Sequence, residues 1–245
     1  MAKLDFRPYE QAGLSVIGDF MDALDMHYMS EKKLFRGHAS RDWVLTPSAF
    51  RSGACGINNK WELSTWRGMA QRFVPQQSND ALSFLVLAQH YGIATGLLDW
   101  TTNPLVALFF ACQAIEEEDS GVVLQTTENE FTPIASPDTV DVFRTDRPRP
   151  LLIDTSVMNV RSTAQDSFMS LHTPNEEPIE AEVVFEISHQ QKLYVRQSLR
   201  LFGFTSERVY ADLNVAATNF KEALEAQREM DEIVGDYRFE DNREG

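Results

Sequence analysis

The stretch that most constrains this chain runs from Leu97 to Cys112. It opens with Leu97-Leu98-Asp99-Trp100, short and apolar enough for a buried strand. Thr102 or Asn103 then caps a helix whose first turn holds Pro104, where a missing N–H costs nothing. Leu105, Ala107, Leu108, Phe109, Ala111 and Cys112 make that helix apolar nearly all round. A helix without a polar face has to be buried, so the rest of the chain must supply layers that cover it.

The flanking sequence reads as those layers. Leu14, Ile17, Phe20, Met21 and Leu24 recur at helical spacing, predicting an opening helix over Pro8 to Tyr28. Strands are expected at Lys33 to Gly37, continuing at Trp43 to Leu45, and at Gly121 to Thr126, Val140 to Phe143, Leu151 to Ile153, Phe168 to Leu171 and Val183 to Ile187. Helices are expected over Trp61 to Phe73, from Asn79 or Asp80 to Tyr91, over Gln190 to Leu201 and over Asn214 to Met230. Val209 to Ala211 reads as a turn or a short extended piece. No linker divides the chain and no repeat stands out, so the reading is one α+β domain. Residues 1–30 form a helical lead-in, 31–224 the domain, and 225–245 an acidic helix end and tail.

Composition narrows the function. The chain has 245 residues with 37 acidic against 22 basic, a net charge near −15. Such a surface repels duplex nucleic acid at long range, while leaving room for a local basic cleft or a basic partner. Cys55 and Cys112 are the only two cysteines, which excludes a disulfide framework and a Cys-based zinc site. No metal is expected. The longest apolar run is too short to span a bilayer and the N-terminus lacks a signal-peptide core, so the expected compartment is the cytoplasm, without membrane attachment. Neither phosphate-cradling glycine motif, nor H-E-x-x-H, nor G-x-S-x-G occurs.

Polar residues break the apolar pattern at three places. Arg36, in Phe35-Arg36-Gly37-His38, ends a buried strand and needs an anionic partner, either a structural carboxylate or a ligand phosphate. Gln89-His90-Tyr91-Gly92 runs towards Asp99-Trp100-Thr101, gathering polar groups near a strand end and a helix N-terminus. Arg161 and Gln165 form the third, which taken alone is equally well a surface segment.

Together these residues resemble the FRG domain. Phe35-Arg36-Gly37 with Trp43, Leu45, Pro47-Ser48 and Arg51 is similar to its first block. Ala88 to Gly92, Thr95, Leu97 to Thr101, Asn103-Pro104 and Ala107 resemble its central block. Asn159, Arg161, Ala164-Gln165 and Phe168 resemble a third, and Tyr210 with Asp212-Leu213 a fourth. Gly96 stands where the pattern has Arg, and Ser167 where it has Gly. The order of parts is similar to that of ADP-ribosyltransferases. The resemblance implies a split β-sheet core with flanking helices and NAD as substrate. It implies mono-ADP-ribosyl transfer to an RNA, DNA or protein acceptor by a toxin or phage-defence effector, with an antitoxin as a further partner. On that reading Arg36, His90, Asp99, Thr101 and Gln165 are catalytic. Arg36, Gly37, His38, Gln89, Tyr91, Trp100 and Arg161 hold NAD. Gln165 occupies the place of a catalytic Glu. Asp99, Glu180, Glu182 or Glu186 would then supply the missing charge. Its rivals are a non-catalytic nucleotide- or partner-binding module, an NAD glycohydrolase, and a nuclease.

Overall fold

Helix starts follow local chemistry. Asn59 accepts from the amides of Trp61 and Glu62, Asp80 from Ser83, and Asn103 from Leu105. Each satisfies amides that a helix leaves without a partner. Two helices end before a glycine in the left-handed region, Gly92 at φ +80° and Gly203 at φ +79°.

The computed structural model describes residues 7–24, 31–73, 80–115, 118–134, 140–155, 160–174, 176–212, 214–225 and 228. In chain order the elements are α1 (Arg7–Ala23), β1 (Lys33–His38), α2 (Lys60–Ala70), α3 (Ala81–His90), β2 (Leu97–Thr101) and α4 (Pro104–Ala111). They continue with β3 (Gly121–Thr127), β4 (Thr132–Pro133), β5 (Leu151–Asp154), α5 (Val160–Ala164), β6 (Ser167–Leu171), β7 (Glu182–Ile187), α6 (His189–Leu201) and α7 (Ser206–Tyr210). Residues 214–225 are helical and are called α8.

Three expectations change. Trp43 to Leu45 and Val140 to Phe143 are turns and loops, not strands. Ser206–Tyr210 is a short helix closed by Ala211 in the left-handed region, where an extended piece was expected. The opening helix ends at Ala23, and its expected continuation falls mostly outside the described residues, as does the end of the Asn214 to Met230 helix.

The strands form one seven-stranded sheet in the order β4-β5-β6-β2-β1-β3-β7. All neighbours are antiparallel except β4 and β5. The chain is therefore α+β, and its sheet is a single hydrogen-bonded array, not two separate ones. Its weakest join is central. β1 pairs with β3 through six residues, and β2 with β6 through five, but β1 meets β2 only at Phe35 opposite Thr101. Past that pair the two strands diverge.

The covering layers divide at the same line. Over β1, β3 and β7, Val16, Ile17 and Phe20 of α1 pack with Val106 to Phe109 of α4 and with Val195 and Leu199 of α6. Over β2, β5 and β6, Leu82, Leu85 and Val86 of α3 pack with Leu63 of α2, Leu97, Ile153 and Met169. Because side chains alternate along strands, Leu34, Trp100 and Phe168 face the other side, where Phe131 joins them. The all-apolar α4 is buried as expected. It crosses β1 and β3 closely: a Cβ on Gly37 would lie 2.0 Å from the Ala107 carbonyl oxygen, and one on Gly121 2.1 Å from that of Ala111. Only glycine admits the helix at these two points.

Candidate functional site

Where β1 and β2 part, a cavity of about 310 Å³ opens between the two helical layers. Phe35, Arg36 and Gly37 of β1 and Asp99, Trp100 and Thr101 of β2 form one side. Val106, Ala107 and Phe110 of α4 form another, and Arg161, Gln165 and Tyr210 arrive from distant segments. Trp43, half exposed on the loop after β1, stands on its wall.

Arg36 fills the divergence. Its Nη1–H donates to the Asp99 carbonyl oxygen at 2.7 Å, a group that regular pairing would have given to the strand ladder. Its Nε–H donates to His38 Nε2 at 3.0 Å. Burial pulls the Arg36 pKa down, Asp99 opposes that shift, and Arg51 adds to it. The nearest carboxylate oxygen, Asp99 Oδ2, lies 3.8 Å from Nη1. So Arg36 sits beside an anion without bonding its carboxylate.

Asp99 is held from the other side. Gln89 Nε2–H donates to Asp99 Oδ2 at 2.7 Å. The Thr95 hydroxyl donates to Gln89 Oε1 and accepts from the Leu97 amide at 3.2 Å. Thr95 is itself pinned by the first block: its amide donates to Ser48 Oγ at 3.2 Å, and its carbonyl accepts from the Ala49 amide at 3.1 Å. Pro47-Ser48 and the central block thus build one network.

The third cluster supplies a second cation. Arg161 Nη1–H donates to the His90 carbonyl oxygen at 3.2 Å, and its guanidinium lies 5.2 Å from the Tyr210 ring centroid. Its Nε is buried with no hydrogen-bond partner among the described residues. Burial raises the Tyr210 pKa, with Arg161 and Arg196 opposing.

Several expected roles change on this geometry. Trp100 is 2% exposed, its indole packed with Leu34, Phe131 and Phe168 and its Nε1–H bonded to Ser170 Oγ at 2.8 Å. It is a core residue with no open face for stacking. Tyr91 caps α3 at 74% exposure and does not line the cavity. His38 is 2% exposed, and its Nε2 is occupied by Arg36, so it supports the arginine and does not reach a ribose. Burial, then Arg36, holds its pKa down at about 4. His90 contributes its carbonyl to Arg161; its ring is not on the cavity wall, and burial and Arg161 lower its pKa. The Thr101 hydroxyl donates to the Gln165 carbonyl oxygen at 2.6 Å and accepts from the Asn103 amide at 3.0 Å, a joint between β2 and the turn before β6. The Gln165 amide donates to the Val209 carbonyl oxygen at 3.0 Å. Gln89 braces Asp99 from outside the cavity. Of the carboxylates considered, Asp99 alone lines the cavity; Glu186 pairs with Arg41, and Glu182 accepts from Gln125 on the far side of β1.

Trp43, Phe110 and Tyr210 were not among the expected site residues. Trp43 and Tyr210 stand in blocks that resemble the FRG domain, a signal that could have marked them, whereas Phe110 reads only as part of an apolar helix; all three meet the site through contacts between distant segments. Gly96, the departure from the family pattern, is covered by Phe50, whose ring would lie 3.1 Å from an added Cβ. Ser167 is buried and accepts from the Thr155 hydroxyl at 3.1 Å.

Another constellation only looks catalytic. Ser170 Oγ is 2.7 Å from His172 Nε2, and His172 Nδ1 pairs with Glu176. Ser170 is fully buried in the middle of β6 and already accepts from Trp100, so this line of groups is structural. Among the described residues no His, Cys, Asp and Glu cluster could hold a metal ion, and no helix is long and apolar enough to cross a membrane.

Residues 31–120 match the family model of the FRG domain. The match takes in β1, α2, α3, β2 and α4, and so Arg36, Gln89, Asp99 and Thr101; Arg161, Gln165 and Tyr210 lie beyond it. No curated protein and no solved structure matches the chain.

Proposed function

The chain carries an FRG domain, and from that premise we propose that the Arg36 cavity binds NAD and transfers its ADP-ribose to a macromolecular acceptor, as a toxin or phage-defence effector would. The observation that carries the reading is the convergence of Arg36, Asp99, Arg161 and Gln165, from separate segments, on one cavity at the parting of the sheet. The charges suit a dinucleotide. Arg36 and Arg161 are cations for a pyrophosphate, and an aspartate carboxylate accepts from ribose hydroxyls. A volume of about 310 Å³ holds a nucleoside-sized half of NAD, and the half-exposed Trp43 gives the remainder an apolar wall at the mouth.

The reaction breaks the bond between nicotinamide and ribose C1′, and the electron pair leaves with nicotinamide. Positive charge builds on the ribose, as in glycoside cleavage. A bond then forms from the acceptor nucleophile to C1′, and the nucleophile's proton passes to the Asp99 carboxylate, the one base among the residues lining the cavity. Asp99 is the carboxylate suited to stabilising that charge; Gln165 offers only a dipole. Arg36 holds the phosphates, and Gly37 lets α4 lie against β1 and wall the cavity.

The deciding experiment incubates the protein with NAD labelled in its adenylate half and cell lysate, followed by separate RNase, DNase and protease digestion. Label retained on a macromolecule and lost with one enzyme supports transfer and names the acceptor class. Arg36→Ala is expected to abolish NAD binding by calorimetry while unfolding remains cooperative; unchanged affinity would sink the assignment. One observation favours a non-catalytic nucleotide-binding module: the amide of Gln165 is committed to Val209, leaving no carboxylate at that place. That module would bind NAD and release no nicotinamide. A glycohydrolase would release nicotinamide and label nothing.

A further inference from the structure

Arg36 and Asp99 are neighbours of opposite charge that do not form a bonded ion pair, and the reason lies outside the cavity. Unopposed, a part-buried guanidinium draws a carboxylate into a two-pronged contact at hydrogen-bond distance. Here Asp99 Oδ2 stops 3.8 Å from Arg36 Nη1, while Gln89 Nε2 holds the same oxygen at 2.7 Å. Gln89 cannot turn its amide round. The Asp99 carboxylate can only accept, so the amide nitrogen must face it, and Oε1 is left to receive the Thr95 hydroxyl, which itself accepts from the Leu97 amide. Thr95 is wholly buried and fastened to Ser48. Two groups are left over in residues that line the cavity: among the described residues Arg36 Nη2 donates to no acceptor and Asp99 Oδ1 accepts from no donor.

The geometry points to Gln89, aligned by Thr95, as a positioning residue that withholds the Asp99 carboxylate from Arg36, so that a cation and an anion both remain open to one ligand. Such a pair selects a molecule with an anionic group and a hydroxyl donor a few ångströms apart, as in a nucleotide's phosphate and ribose. This inference rests on the proposed site for its ligand, but the restraint on Asp99 is a property of the free protein. It also links Ser48, through Thr95, to the site.

The test compares Gln89→Met and Thr95→Val, which keep side-chain bulk and lose the hydrogen bonds, with Thr95→Ser, which keeps the hydroxyl. Crystal structures of the free variants are expected to show Asp99 turned onto Arg36 at hydrogen-bond distance in the first two and the wild-type arrangement in the third. A carboxylate that stays in place in Gln89→Met overturns the proposal. Calorimetry with inorganic pyrophosphate and with NAD gives a second reading, with affinity falling by about tenfold or more in Gln89→Met and recovering in Thr95→Ser. In an Asp99→Asn background Gln89→Met should change affinity little; an undiminished effect there would mark Gln89 as a general fold residue and defeat the proposal. If wild type binds pyrophosphate but releases no nicotinamide, the transferase reading fails while the positioning role stands. If it binds neither probe, that reading fails and the crystal structures alone decide the positioning role.

Discussion

At the residue scale the site is a set of buried polar groups that hold one another. His38 shows the cost and its sign. Its folded pKa of about 4 lies below the ordinary value near 6.5, because burial and Arg36 disfavour the imidazolium. The unfolded chain therefore takes up the proton first as pH falls. Stability present above about pH 6.5 is lost progressively towards pH 4, by at most about 3 kcal/mol from this group. His90 shifts in the same direction. His38→Asn should flatten the dependence of the urea midpoint on pH between those limits, and an equally steep loss in the variant would assign it elsewhere. Cys112 behaves oppositely: burial pushes its thiol up to about 12, so it should resist thiol reagents in the native protein while the exposed Cys55 reacts.

At the element scale the decisive object is α4, whose lack of a polar face forces it between the sheet and α6. Its approach depends on two glycines. Gly37→Ala places a methyl carbon 2.0 Å from backbone that cannot move aside without shifting the helix. The expected loss is about 2 kcal/mol or more by urea unfolding, and any affinity of the proposed site for NAD should fall alongside because α4 walls the cavity. A fully stable Gly37→Ala protein would contradict this packing. Asn103→Ala removes the cap on the Leu105 amide at 3.1 Å and a bond to Asp166 at 3.2 Å. It should cost about 1 kcal/mol. Local signals served well for such elements. Asp80, Asn103, Gly92 and Gly203 mark ends that follow from cap chemistry within a few residues. They failed at Val140 to Phe143 and Val209 to Ala211, where short apolar runs fit a strand but lie where no neighbour offers a ladder.

At the scale of the whole molecule, 37 acidic residues against 22 basic make the folded chain repel itself. Raising the salt from very low to about 0.15 M, where the screening length is about 8 Å, should raise the urea midpoint. A midpoint that falls would mean that ion pairs such as Arg41 with Glu186 and Lys60 with Asp141 outweigh the repulsion. The two helical layers meet the sheet on either side of the β1–β2 join, and that join, held by one residue pair, is where the cavity forms. The sequence alone determined that α4 is buried, that the chain is α+β, and that Arg36, Asp99, Arg161 and Gln165 stand out as polar interruptions. Each follows from burial costs or periodicity within one short window. Only the tertiary structure decided that Trp100 and His38 are internal, that Tyr91 points away, that Gln89 serves Asp99, and that Trp43 and Tyr210 wall the site. Those roles depend on which segments pack together across the parting of the sheet, and pairing between distant segments leaves no period in a sequence to read.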